Sequence, residues 1–212
     1  MINTTNQPLL VLASQSPRRY DLLSGLGLEF KVIPSLLDEI VDPSWSPYEI
    51  VLNLSLQKAQ EVADKLKQDL RPDFEQGRKA IVIGADTMVV LNGKVLGKPN
   101  SVDDAIAMLT MLSGNFHQVY TGVTLISLPE NKIESTVEIS RVLFRTMSRA
   151  EIESYVATKE PMDKAGSYAL QGLGSTFVQR IEGCYTNIIG LPVPPTVALL
   201  RKAGIMVLNS ES

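Results

Sequence analysis

The sequence predicts an α/β protein built around a mixed β-sheet, and three observations lead to that reading. Apolar runs at residues 9–13 and 80–86 have the length and continuity of buried strands. Ser-Pro pairs at 16–17 and 46–47 and serines at 101 and 148 each precede a segment with helical patterning. Two long strand-like segments, 116–128 and 133–146, flank a turn around Pro129-Glu130-Asn131.

Taken in order, Leu9–Ala13 is a strand and residues 17–26 a helix that stops near Gly25 or Gly27. "FKVIP" (30–34) is a second strand, and a long helix covers 47–67. The polar stretch 68–79 reads as a loop before "AIVIGAD" (80–86). "VVLNGKVL" (89–96) is a hairpin, because Asn92-Gly93 suits a two-residue turn. Ser101 and Asp104 resemble a capping box opening a helix to about Leu112, ended by Gly114. Ser148 and Glu151 repeat that pattern before a helix to about residue 158. Residues 160–174 form a Gly-rich loop, "FVQRI" a strand, and 194–203 a last helix.

Composition bounds the function. With 212 residues the chain suits one domain or two small lobes. Apolar residues at 44% and charged residues at 20% are ordinary for a soluble globular protein. A net charge of −3 argues against binding nucleic acid through a broad basic surface, so any anion site must come from local clustering. Cys184 and His117 are the only residues of their kinds, which removes disulfide frameworks, zinc clusters and Cys-His or Ser-His nucleophile pairs. Cys184 reads as inert and His117 as structural or surface. No run approaches the roughly 18 apolar residues of a membrane span. "MINTTNQP" lacks a basic and apolar leader pattern, so a cytoplasmic address is expected.

Arg18 and Arg19 open the first helix, at the end where the dipole favours acidic residues. Either both point into water at a few tenths of a kcal/mol each, or they flank an anion seated on the helix N-terminus. Lys58 lies at the margin of the apolar stripe of 47–67, where it either snorkels or reaches an anionic partner. Asp86 is expected where its strand leaves the core, with Gly84 and Ala85 leaving room for a ligand. Glu39 is a second acid, and the two carboxylates could hold a hard divalent cation with waters; the bland alternative is an exposed acidic loop shared with Asp38 and Asp42. "LGKPN" presents Lys98 between Gly and Pro, and "EPMDKAGSYALQGLG" presents Lys164 and Gln171. Neither a Rossmann nor a P-loop fingerprint is present. Isolated cations with isolated carboxylates point to a polyphosphate ligand.

The ordered segments "ASQSPRR", "LDE", "LSLQKA", "GADT", "GKP", "YTGV" and "EPMDKAGSYALQGLG" resemble the Maf family of nucleoside triphosphate pyrophosphatases, from about residue 10 to 203. The resemblance implies an elongated mixed sheet flanked by helices with a deep central cleft, related to inosine triphosphate pyrophosphatases, and a homodimer. It implies hydrolysis between the α and β phosphates with a divalent cation, Mg²⁺ or Mn²⁺. Asp86, Glu39, Lys58 and Lys98 match catalytic positions, with Asp86 receiving the proton of water and Glu39 and Asp86 at the metal. Ser14, Arg18, Arg19, Thr87, Lys164 and Gln171 match substrate-binding positions, of which Arg18, Thr87 and Gln171 are associated with the base. "GADT" and "QG" match the subgroup acting on dTTP and UTP, whereas the 7-methyl-GTP subgroup has "SDQ" and "EG". "SLLDE" replaces the usual "PxIDE", and the 68–79 loop is longer than in many bacterial members. The alternatives are a 7-methyl-GTP enzyme or a non-hydrolytic nucleotide-binding regulator of cell division.

Overall fold

A computed structural model of the chain describes residues 7–208. Its elements are β1 (Leu9–Leu12), α1 (Pro17–Ser24), β2 (Lys31–Val32), α2 (Pro47–Asp69), α3 (Arg71–Glu75), β3 (Ala80–Leu91), β4 (Lys94–Leu96), α4 (Val102–Leu112), β5 (Phe116–Leu128), β6 (Lys132–Phe144), α5 (Arg149–Ala157), β7 (Val178–Glu182), α6 (Tyr185–Ile189) and α7 (Val193–Lys202). One seven-stranded sheet has the order β2-β1-β3-β5-β6-β7, and β4 pairs with β3. β1 runs parallel to β2 and β3, while β3–β4 and β6–β7 are antiparallel. The mixed α/β sheet expected from the sequence is therefore present. No helix among the described residues is long and apolar enough to cross a membrane.

The chain divides into two compact units. The first takes residues up to Asp86, Gly122–Val137 and the chain from Leu191 on; the second takes Thr87–Thr121 and Glu138–Gly190. Strands β3, β5 and β6 contribute to both.

In the first unit, alternation along the strands sorts side chains into two cores. Leu10, Leu12, Ile81, Ile83 and Ala85 pack with Leu23 of α1 and Leu199 and Leu200 of α7. Val11, Ala13, Ala80 and Val82 pack with Ala59, Val62, Ala63 and Leu66 of α2. Continuing by twos from Val82, Gly84 and then Asp86 lie on the α2 face of β3. In the second unit, Phe144 is fully buried among His117, Tyr168 and Phe177, with α4 and α5 packed around them.

Helix starts follow the expected chemistry. Ser16 accepts from the Arg19 backbone N–H at 3.5 Å, and Ser148 with Glu151 forms a full capping box. Ser46 does the same with Glu49. At α4 the box is only half made: Ser101 accepts from the Asp104 N–H at 3.1 Å, but the Asp104 carboxylate turns to the Asn100 N–H at 2.9 Å.

Several expectations need correction. The 68–79 stretch is not all loop: Leu70 and Phe74, one helical turn apart, rest against the α2 core and support α3. Residues 185–189 form the unpredicted α6, and the 160–174 region contains short 3₁₀ turns. β2 shrinks to two residues and β6 ends at Phe144. β3 does not end at Asp86. It continues to Leu91, with Asp86 and Thr87 as a partly buried pair inside an otherwise fully buried strand.

Candidate active site

Helix α2 approaches the sheet closely because two glycines permit it. A Cβ on Gly84 would lie 2.2 Å from the Ser55 carbonyl oxygen and 2.7 Å from the Ala59 nitrogen. A Cβ on Gly122 would lie 2.2 Å from the Val51 carbonyl oxygen. Ser55 Oγ then bonds Thr124 Oγ1 of β5 at 2.9 Å, a buried polar tie between helix and sheet. This corrects the reading that Gly84 and Ala85 leave room for a ligand: Gly84 makes room for helix backbone, and Ala85 is buried in the opposite core.

That contact aims Lys58. It sits beside Ala59 on α2, and Asp86 follows Gly84 on the same strand face. Lys58 Nζ donates to Asp86 Oδ1 at 2.5 Å and pairs with Glu39 Oε1 at 2.8 Å. The Lys58 and Asp86 side chains are 16% and 13% exposed, whereas that of Glu39 is 46% exposed. Lys58 thus reaches an anionic partner rather than snorkelling into water.

Glu39 lies on the irregular segment 33–46 between β2 and α2. Three side chains of α2 hold this segment. Glu61 Oε2 accepts from the backbone N–H groups of Leu36 and Leu37 at 2.9 and 3.3 Å. Gln57 Oε1 accepts from the Ile40 N–H at 3.0 Å, and Gln57 Nε2 donates to the Ile40 carbonyl at 2.8 Å. Lys58 holds Glu39 itself.

Arg19 approaches the same carboxylates from α1. Its Nη1 donates to Ser14 Oγ at 3.3 Å, and Ser14 also accepts from the Ser16 N–H. Burial draws the Arg19 guanidinium below its ordinary pKa; Asp86 opposes that fall, Arg18 adds to it and Glu39 opposes it. The guanidinium stays charged, since its reference value lies so far above neutrality. Of the two adjacent cations at the first turn of α1, Arg19 is therefore set against carboxylates. Ser14, Arg19, Glu39, Lys58 and Asp86 are brought together, with Arg18 acting electrostatically on Arg19.

The remaining candidates lie in the second unit. Thr87 Oγ1 bonds Thr121 Oγ1 at 2.9 Å, and Thr121 donates to the Asn187 carbonyl at 3.0 Å. Asn187 Nδ2 in turn donates to the Val119 carbonyl and to Ser140 Oγ, each at 2.9 Å. Thr87 is thus anchored by a buried network that includes α6. A backbone bond from Gly166 N to Gly97 O at 3.0 Å joins the segments carrying Lys98 and Lys164. Lys164 is paired with its neighbour Asp163, and Lys98 is exposed.

Gln171 is exposed and is followed by a turn that Glu160 holds. Glu160 Oε1 accepts from Tyr155 Oη at 2.9 Å and the Gly174 N–H at 3.1 Å, and its Oε2 accepts from the Leu173 N–H at 3.2 Å. Gln57, Glu61 and Glu160 were absent from the sequence-derived candidates. Gln57 and Glu61 sit on the polar face of α2, which reads as solvated. The available signal was the length of segment 33–46, whose backbone groups need partners somewhere.

Among the described residues no group of three or more His, Cys, Asp or Glu side chains could hold a metal ion. Glu39 and Asp86, however, each place an oxygen on one shared cation, the Lys58 ammonium. Two carboxylate oxygens around a common cation fit Mg²⁺, which keeps several waters and takes further oxygens from substrate phosphates. The donor set suits a hard divalent ion.

The Maf-like protein model matches residues 9–203. A dTTP/UTP pyrophosphatase from Caldicellulosiruptor bescii is 46% identical over 95% of this chain and 98% of its own. One from Syntrophomonas wolfei is 43% identical over 94% of this chain and all of its own. A third, from Colwellia psychrerythraea, is 44% identical over 96% of this chain and 92% of its own. Similarity that runs through every element from β1 to α7, at such identity, has one reading: the chain belongs to the Maf family.

Proposed function

We propose that the protein hydrolyses nucleoside triphosphates, dTTP and UTP above all, between the α and β phosphates to give the monophosphate and pyrophosphate. Full-length relatives that carry the name dTTP/UTP pyrophosphatase support the activity. The observation that supports its placement is the Glu39–Lys58–Asp86 constellation with the Arg19 guanidinium beside it.

In this reading a water attacks the α phosphorus and Asp86 takes its proton as the new P–O bond forms. The bond from the α phosphorus to the bridging oxygen breaks, and pyrophosphate leaves with the electron pair. Lys58 holds Asp86 in place before substrate arrives, and it supplies positive charge where negative charge builds on the departing oxygens. Arg19 receives phosphate beside the N-terminus of α1, where the helix dipole favours an anion. Ser14 orients the Arg19 fork. Glu39 and Asp86 would hold the divalent cation, Mg²⁺ or Mn²⁺, which supplies Lewis-acid stabilisation of phosphate charge.

We assign Lys98 and Lys164 to the phosphates, and Arg18, Thr87 and Gln171 to selection of the base; their match to the family motifs supports these roles. A homodimer completes the proposal on the same ground, and we assign it to the cytoplasm, the address expected from the sequence reading.

The test is pyrophosphate release from dTTP, UTP, 7-methyl-GTP and ATP by the purified protein with Mg²⁺ or Mn²⁺. A kcat/KM for dTTP or UTP at least tenfold above that for 7-methyl-GTP is expected. Nucleotide binding with no pyrophosphate release overturns the hydrolytic reading. A preference for the methylated purine overturns the assignment of Thr87 and Gln171.

A further inference from the structure

We propose that Gln57 is a positioning residue that acts through Glu39, an inference that rests on the role given to Glu39 above. The carboxylate of Glu39 is well exposed, and its backbone belongs to a segment with no helix or strand to hold it. Apolar burial gives it little support: Leu36 and Ile40 are 77% and 72% exposed, and Leu37 is only partly buried. What holds this stretch is polar. The Gln57 side chain takes both backbone hydrogen-bonding groups of Ile40, the residue after Glu39, at 3.0 and 2.8 Å. Such a pair of bonds fixes the Ile40 backbone, and the peptide groups on either side of its Cα, in direction as well as distance, much as one strand fixes the next.

Gln57 also precedes Lys58, the residue that bonds both Glu39 and Asp86. One turn of α2 therefore sets the Glu39 backbone and the Glu39 carboxylate at once. Glu61, one helical turn on, makes the parallel attachment at Leu36 and Leu37. Without Gln57 the segment keeps the Glu61 attachment upstream, so the fold is retained while Glu39 samples positions away from Asp86. Misplacement of a group by about 1 Å is enough to cost on the order of a hundredfold in rate, so a loosened carboxylate is expected to reduce turnover by at least tenfold.

The experiment is a double-mutant cycle on the full-length protein with Gln57→Ala and Glu39→Gln. The readouts are pyrophosphate release from UTP across a Mg²⁺ titration, and Mn²⁺ binding to the nucleotide-free protein by electron paramagnetic resonance. Gln57→Ala is expected to lower kcat/KM at least tenfold, to raise the Mg²⁺ needed for half-maximal rate several-fold, and to weaken Mn²⁺ binding. In the Glu39→Gln background the same change is expected to cost less than twofold. Gln57→Glu keeps the acceptor for the Ile40 N–H but loses the donor, and is expected to fall between.

Gln57→Ala losses of equal size in both backgrounds, with Glu39→Gln itself impaired, overturn the inference while leaving the role of Glu39 standing. Glu39→Gln with unchanged turnover and Mn²⁺ binding overturns the role of Glu39 and this inference together. If Gln57→Ala does not fold, Gln57→Glu carries the same cycle and the same outcomes apply.

Discussion

Lys58 and Asp86, 28 positions apart in the chain, meet at 2.5 Å because Gly84 lets helix α2 lie directly on strand β3. The ammonium also serves Glu39. These three charges form one electrostatic unit, so substitutions within it should not act independently. Asp86→Asn is expected to lower kcat for UTP by at least 10²-fold, and Lys58→Met by a similar factor, within the range for loss of a base or a charge-stabilising group. The double variant should be little worse than either alone, since each removes the same arrangement. Steady-state pyrophosphate release checks this, and an Asp86→Asn enzyme near parental activity rejects its role.

Gly84→Ala tests the packing that brings these groups together. Its Cβ would sit 2.2 Å from a backbone oxygen and 2.7 Å from a backbone nitrogen, neither of which can swing aside as a flexible side chain could. Helix and strand must separate. We expect a stability loss of about 1–3 kcal/mol, typical of overpacking, together with a loss of activity in molecules that remain folded. Urea unfolding measures the first. Turnover well below the transition measures the second.

The one histidine gives stability a pH dependence on the acid side. His117 is buried, with Nε2 2.8 Å from Tyr168 Oη and its ring edge-on to Phe144. Burial pulls its pKa from 6.5 to about 4, against a weaker opposing pull from the Asn115 backbone. The unfolded chain therefore binds this proton at a higher pH than the folded one does. Its contribution to stability is fully present above pH 6.5 and is lost as the pH falls towards about 4. Unfolding free energy from urea titrations should drop by about 2 kcal/mol between pH 7 and pH 5 from this group. A variant without the histidine, His117→Gln, should show a flatter profile over that interval.

Base selection offers a fourth test. Gln171 is exposed and the turn that follows it is held by Glu160, so a substitution there should leave the fold intact. Gln171→Glu is expected to lower kcat/KM for dTTP and UTP by about tenfold, the effect of one lost hydrogen bond to a substrate group. Turnover of 7-methyl-GTP should fall by much less. Equal losses on all three nucleotides would assign Gln171 to something other than the base.

The two cores of the first unit follow from alternation along 9–13 and 80–86, and Ser16, Ser46 and Ser148 cap the helices they precede. The strand containing Asp86 was legible in type but not in length. Its polar pair, Asp86-Thr87, imitates a strand end when only local pattern is available. Lys58 was legible as an oddity, a cation at the edge of an apolar stripe, though its partner was not. Gln57 and Glu61 were invisible, because a polar residue that bonds distant backbone looks the same in sequence as one that bonds water.

By itself the sequence determined what is local: where helices begin, which strand face is apolar, which residue types are available for phosphate chemistry, and, through its ordered motifs, the family. Only the tertiary structure decided that Gly84 admits a helix rather than a ligand, that Lys58 spans Glu39 and Asp86, and that Gln57 holds the segment beside Glu39. The reason is physical. Caps and periodicity are settled by bonds within a few residues of one another, whereas a shared ammonium between two carboxylates depends on how closely one helix can rest on one strand.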